Sequence, residues 1–433
     1  MNIDTRRKLD RWAGTPLTFL LSGFHLLGRR QGRSGKARPR RILFIGLSDP
    51  ARPVLADPAM KRIAAASGAV LYFVASRKNR EGLDLLHTVR PSSIFTLRDA
   101  NVVLAALDML RFVRWSRRQK IDTVVDLELF SRFSALLSGL SGAGNRVGFH
   151  RYYLEGLYRG GFLTHRVCYN PHIHTAANYI ALANSLLTEE AEVPYSKKAV
   201  RQEETALPVM LYHENELTNM HEQVRRHYPK YERNRHRLVL VDPHGDDQVP
   251  QRRWMPERYA ELILRILETA PDVLVLLTGA PADKEDAAIL CQMVGSGRCI
   301  NFTGALQPAR LPVLCSIALL MVGNYSGHVH FSAITKLPSY ILFGPDTPVL
   351  YGSLGISTGI SAGLACSPCL AAANHFTTPC RDNKCLQKIS VDQVLGAIKP
   401  LLQAQEGGSP DSGSVHVSHH GATTEAELFR KNL

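Results

Sequence analysis

The stretch NYSGHVHFSAITKLPSYILFGPDTP, residues 324–348, decides how the chain folds. The apolar run 317–322 leads through Gly323 into Asn324, Tyr325, Ser326 and Gly327. A helical pattern then carries His328, His330 and Ala333 toward Leu337, and a second apolar run, 340–343, ends at Gly344-Pro345-Asp346. The order is strand, tight turn, helix, strand, turn. Small residues at a helix start leave its first N–H groups exposed, and those groups with the helix dipole favour a bound anion. Ligands of open α/β sheets bind beyond the carboxyl ends of the strands, where both turns fall. The stretch reads as a phosphate or nucleotide cradle; the plainer alternative is an ordinary βαβ turn.

Outward from it, the same alternation repeats. A strand at 238–241 ends in Asp242-Pro243-His244-Gly245, and Pro256 opens a helix. Strands at 273–278 and 299–302 end in Gly279-Ala280 and Thr303-Gly304, with helices at 284–294 and 311–317. The first half shows strands at 42–47, 69–75, 94–97, 121–127 and 146–149, with helices opening at 57–60 and spanning 101–119 and 130–140. Strands alternating with helices predict parallel sheets covered on both faces. Residues 150–178, rich in Tyr, Arg, Gly and His, have no clean period and read as loop facing a polar partner. The expected organisation is an N-terminal arm at 1–40, a first α/β domain at 41–190, a linker at 191–208, a second α/β domain at 209–403 and a disordered tail at 404–433. Two such domains face a cleft, a preferred place for a ligand.

The 433 residues carry a net charge of +14, and 45% are hydrophobic. Such a chain is globular and long enough for two or three domains. The charge is uneven: Arg6, Arg7, Lys8, Arg11, Arg29, Arg30, Arg33, Lys36, Arg38, Arg40 and Arg41 precede the first strand. The apolar segment 16–28 between them is too short to span a bilayer, and no small-residue cleavage site follows it. An apolar segment flanked by arginines suits a membrane interface, here the inner face of the cytoplasmic membrane, rather than nucleic acid. The alternative is a helix packed on the body. Eight cysteines in so long a chain do not make a disulfide scaffold. Cys366, Cys369, Cys380 and Cys385 cluster late, and are either a four-thiolate zinc staple or a reduced packed loop.

The second half resembles glycosyltransferase family 9, the heptosyltransferase-like family with the two-Rossmann GT-B fold. The resemblance rests on Asp242-Pro243-His244-Gly245, on residues 252–259 (RRWMPERY), on residues 278–283 (TGAPAD), on Asn301-Phe302-Thr303-Gly304 and on the opening stretch, all in the family's order. It implies a nucleotide-diphosphate sugar donor, typically ADP-heptose, held by the second domain. It also implies a lipopolysaccharide or other glycolipid acceptor on the first, inverting transfer, and no cofactor. Arg252 matches the family's basic residue at the donor phosphates. Ser326 and Gly327 match the helix start near the diphosphate, and His330 matches the histidine on that helix. Asn324 and Tyr325 complete the donor side. A metal is unnecessary where fixed N–H groups and a cation meet the charge growing on the leaving diphosphate.

The family also places a Gly-Asp pair after the first strand, its aspartate the base. Here those positions are Ala51 and Arg52. Asp49 in the same loop, or Glu128 and Asp126 at another strand end, are the replacements, and Asp49 and Glu128 are taken as the catalytic candidates. Tyr325 stands where the family has aspartate. A catalytically degenerate glycan- or nucleotide-binding protein is the alternative reading.

Overall fold

The computed structural model describes residues 8, 10–28, 38–48, 52–98, 102–152, 158–188, 192–245, 249–371, 374 and 376–404. Asp49, part of the helix start expected at 101 and all but the first residue of the expected tail lie outside the described residues.

The chain opens with helix α1 (Gly14–Gly28). The first sheet then alternates β1 (Arg41–Ile45), α2 (Arg52–Ser67), β2 (Val70–Ser76), α3 (Glu81–Leu86), β3 (Ile94–Leu97), α4 (Val102–Arg118), β4 (Thr123–Asp126), α5 (Arg132–Leu140), β5 (Asn145–His150), β6 (His165–Cys168) and α6 (Thr175–Leu186). The second follows α7 (Glu214–His227) with β7 (Arg237–Asp242), α8 (Pro256–Thr269), β8 (Val273–Leu277), α9 (Lys284–Val294), β9 (Cys299–Asn301), α10 (Leu311–Ser316), β10 (Leu320–Asn324), β11 (Ser339–Phe343), α11 (Pro348–Tyr351), β12 (Ser357–Ser361), α12 (Lys384–Gln387) and α13 (Val391–Gln403).

Each sheet has six parallel strands, in the orders β3-β2-β1-β4-β5-β6 and β12-β11-β10-β7-β8-β9. Counted within its own half, the second order is the first one again. Strands such as VLVLL, and RILFI after Arg41, are apolar and buried because helices cover both faces. In α8, Tyr259, Leu262, Ile263, Ile266 and Leu267 recur at helical spacing and are all buried, a stripe that seats it on the sheet. The doubly wound, two-sheet architecture expected from the alternation is the one present.

Three local readings change. The segment 150–178 contains β6, which pairs with β5 from Val147↔His165 to His150↔Cys168. Its four residues are too few to show a period. Helix α2 begins at Arg52 rather than near 57, because Pro53 falls in the first turn, where a missing N–H costs nothing. The helix after Gly327 is a seven-residue 3-10 segment, His328–Ile334. Its tighter winding, closed by Thr335 donating to Ser332 O at 2.9 Å, brings fewer aligned dipoles to the turn than an α-helix would.

The halves touch. Val54, Leu85 and Leu86 of the first pack in one apolar cluster with Phe331, Ile334 and Tyr351 of the second. The His174 Nε2 lies 2.8 Å from the Gly352 carbonyl.

Candidate functional site

Both sheets reverse their winding between two neighbouring central strands, β1 and β4 in the first and β7 and β10 in the second. A crevice opens at such a reversal beyond the strand ends. In the second sheet its walls are Asp242 to Gly245 after β7, and Asn324 to Gly327 at the end of β10. The two strands meet closely there. A side chain at Gly323 would place its Cβ 2.8 Å from the Asp242 carbonyl, so only glycine fits.

Side chains then knit the crevice. Asn324 accepts from the Trp254 N–H at 3.0 Å and donates to the Pro243 carbonyl at 2.7 Å, with no exposed surface of its own. Ser326 Oγ donates to Asp242 Oδ2 at 3.2 Å. Asp242 is fully buried, and burial pushes its carboxyl up to about 7 against the opposing pull of the Ser326 and His244 hydrogen bonds. Trp254 is a packing residue: its ring stands edge-on to Tyr259 and its Nε1–H donates to the Ile389 carbonyl at 3.2 Å.

Arg252 reaches across from the loop after β7. Its Nε and Nη2 donate to the two oxygens of Asp346 at 2.7 and 2.9 Å. The same guanidinium lies 4.9 Å from the centre of the Tyr325 ring. Tyr325 is buried and stacked on Phe343 and Tyr351, with His330 edge-on to it at 5.9 Å. His330 has no exposed surface. The structure therefore gathers Arg252, Asn324, Tyr325, Ser326, Gly327 and His330 around one turn, but in two ranks. Arg252 and Gly327 are partly exposed and form its rim. Asn324, Tyr325, Ser326 and His330 are buried behind it and hold its shape.

In the first sheet, Glu128 closes the equivalent crevice. It accepts from the Leu47 and Ser48 N–H groups at 2.6 and 3.0 Å, and from Ser48 Oγ at 2.6 Å. Arg52 Nε stands 3.3 Å away. Burial alone would raise this carboxyl, but the Arg52 charge and the Ser48 and Leu47 donors outweigh it and hold it below the usual carboxylate range. A carboxylate so engaged anchors the loop after β1 and is a weak proton acceptor. Asp126, beneath it, is paired with Arg159, and burial pushes it up to about 6. Glu128 and the Arg252 cluster thus belong to different crevices, one in each half.

Sequence reasoning passed over Asp346, Asp242 and Tyr351. Asp346 and Asp242 stood inside quoted motifs, but only the fold aims one at Arg252 and buries the other under Ser326. Cys366, Cys369, Cys380 and Cys385 are free thiols, and among the described residues no three His, Cys, Asp or Glu side chains are arranged to hold a metal ion.

Three comparisons place this architecture. The glycosyltransferase family 9 (heptosyltransferase) model matches residues 109–378. Lipooligosaccharide heptosyltransferase 2 of Campylobacter jejuni is 23% identical over 227 residues, 48% of this chain and 67% of that protein. The structure of E. coli ADP-heptose lipopolysaccharide heptosyltransferase II superposes with a TM-score of 0.63 at 19% identity, over 84% of this chain and 98% of the other. The glycosyltransferase family 9 protein of Veillonella parvula DSM 2008 gives the same TM-score at 17% identity, over 84% and 97%. With the family model covering most of the chain, and both crevices built on the same doubly wound plan, the chain belongs to glycosyltransferase family 9 (heptosyltransferase) and is a glycosyltransferase.

Proposed function

We propose that this glycosyltransferase moves a heptose-like sugar from a nucleoside-diphosphate donor, of the ADP-heptose class, to a lipopolysaccharide-type glycolipid acceptor. The donor is bound in the second crevice and the acceptor in the first. The observation that carries the reading is the turn at Ser326 and Gly327 beside Arg252, at the winding reversal of the second sheet.

The transfer is a single displacement. The acceptor hydroxyl oxygen attacks the anomeric carbon from the face opposite the diphosphate, so configuration inverts. The bond from that carbon to the phosphate oxygen breaks, and its electron pair leaves with the nucleoside diphosphate. Arg252 and the backbone N–H groups of Ser326 and Gly327 meet the charge that grows there, which is the role a planar, permanent cation suits. The hydroxyl proton passes to a carboxylate. We assign that to Asp49, because Glu128 is engaged as a loop anchor. No metal enters this step. The protein works at the inner face of the cytoplasmic membrane, held by its N-terminal arm; among the described residues no helix is long and apolar enough to cross one.

One observation favours the degenerate-enzyme reading: Asp346 already engages the Arg252 fork. Calorimetry with ADP and ADP-sugars, followed by donor turnover in wild type and Asp49→Ala, tests both. Binding with turnover, lost in Asp49→Ala, supports the transferase. Binding without turnover supports a degenerate nucleotide-binding protein, and no binding defeats both of these.

A further inference from the structure

The helix α1 packs on the body with its polar side. Thr18 and Ser22 are buried, Ser22 Oγ accepts from the Gly161 N–H at 2.7 Å, and His25 Nε2 lies 3.0 Å from the Gly139 carbonyl. The opposite side is apolar and faces out. On it Phe19 is 68% exposed and Phe24 73%, with Leu17 and Leu20 beside them, and Trp12, just before the helix, is 79% exposed. This inverts the pattern of a helix that merely covers a core. A second helix repeats it. In α4, Phe112 and Asp108 turn inward, while Val103 at 67%, Leu107 and Leu110 at 65% turn outward, followed on the same face by Arg114 and Arg118.

These two helices flank one element. Asp10, just before α1, accepts from the N–H groups of Arg132 and Phe133 at the start of α5, at 2.9 and 3.0 Å. Ser116 Oγ of α4 donates to the Ser141 carbonyl at the end of α5, 3.1 Å away. Thus α1 and α4 stand on either side of the largely buried α5. Both α4 and α5 follow a strand of the parallel sheet, so each starts at the carboxyl edge of that sheet, beside the first crevice. Because α1 runs alongside α5 in the same direction, Trp12, Val103 and Leu107 lie toward that edge.

The charges select the partner. Residues 8, 10–28 and 102–118 hold only two carboxylates, Asp10 and Asp108. Asp10 caps α5 and pairs with Arg132. Asp108 is buried against Arg98 at 2.7 Å. The outward face therefore presents apolar side chains with Lys8, Arg11, Arg114, Arg117 and Arg118 and no exposed carboxylate. We propose that α1 and α4 together form one membrane-docking surface for an anionic bilayer, with the apolar residues in the acyl boundary and the arginines at the headgroups. Docked on both helices, the first crevice opens at the lipid surface, where a glycolipid acceptor presents its sugar; that last step rests on the proposed function.

The test is vesicle co-sedimentation of the full chain. Wild type should bind phosphatidylcholine–phosphatidylglycerol vesicles, bind pure phosphatidylcholine more weakly, and lose affinity as salt rises. Val103→Glu with Leu110→Glu should lower partitioning more than about tenfold, since two exposed apolar side chains that enter the bilayer on docking are lost. Arg114→Glu with Arg118→Glu should lower it at low salt and flatten the salt dependence. Circular dichroism melts establish that the variants remain folded. Wild type that ignores anionic vesicles, or α4 variants that bind like wild type, would overturn the proposal. So would a wild-type dimer in solution that the α4 variants dissociate, since a second copy then covers this face. Vesicle binding without any donor turnover supports the docking surface and defeats only the transferase reading.

Discussion

Arg252 and Asp346 form a two-point ion pair, at 2.7 and 2.9 Å, directly over the face of the Tyr325 ring. The three residues follow different strands of the second sheet, so the pair ties the loop after β7 to the loop after β11 beside the crevice. Asp346 is almost fully buried and the Arg252 side chain is 13% exposed, which makes the pair sensitive to loss of either partner.

Asp346→Asn removes one charge and leaves the other poorly compensated. It should cost about 2–4 kcal/mol of unfolding free energy in urea titrations. Arg252→Lys keeps the charge but loses the fork, and should weaken nucleoside-diphosphate binding by about tenfold or more in calorimetry. Equal affinity in the lysine variant would mean that Arg252 serves the ion pair alone.

The Tyr325 ring fills the space between Phe343 and Tyr351. Tyr325→Ala should lose about 3–5 kcal/mol of stability through the cavity and the lost ring contacts. Tyr325→Phe retains the ring and should stay within about 1 kcal/mol of wild type. Chemical denaturation of both variants checks this.

Removing Glu128 strands the Arg52 charge and the donors of Leu47 and Ser48. Glu128→Ala should destabilise by about 3 kcal/mol. The folded carboxyl sits below its ordinary value, so its contribution is present above the ordinary carboxylate range and disappears as pH falls through the depressed value. The gap between wild type and Glu128→Gln should accordingly shrink in acid melts. Lost turnover at an unchanged melting temperature would return the base role to Glu128.

Asp242 has the opposite sign. Its folded value of about 7 lies above the unfolded one, so the folded state binds the extra proton between about pH 4 and 7. Stability from this group is complete at the acid end and declines as pH rises to about 7. Asp242→Asn should remove that slope and gain about 1–3 kcal/mol relative to wild type at pH 8. Melting curves across pH 4 to about 8 measure it.

The architecture was legible because most of its strands are apolar runs of strand length set between amphipathic helices, a pattern that local residues carry by themselves, whereas β6 (HRVC) and β12 (STGIS) are not. Residues 323–348 announced the crevice through Gly323 and the turn that follows, where backbone space decides the residue type. What the chain alone left open concerns pairs distant in sequence. Arg252 finds Asp346 across 94 positions, and Glu128 finds Ser48 across 80. Whether a carboxylate takes up protons or anchors a loop depends on those neighbours and on burial, so only the tertiary structure separates Asp242 from Glu128. The same holds for α1. Its sequence shows an apolar segment with basic flanks, but packing decided that Thr18 and Ser22 turn inward and Phe19 and Phe24 outward. Sequence thus determined most of the alternation of strands and helices, β6 and β12 excepted, and the strand order with its reversal came from the structure. The three-dimensional contacts decided which of these residues stand beside the crevice and which hold the turn behind it, because charge, burial and stacking are properties of neighbours in space.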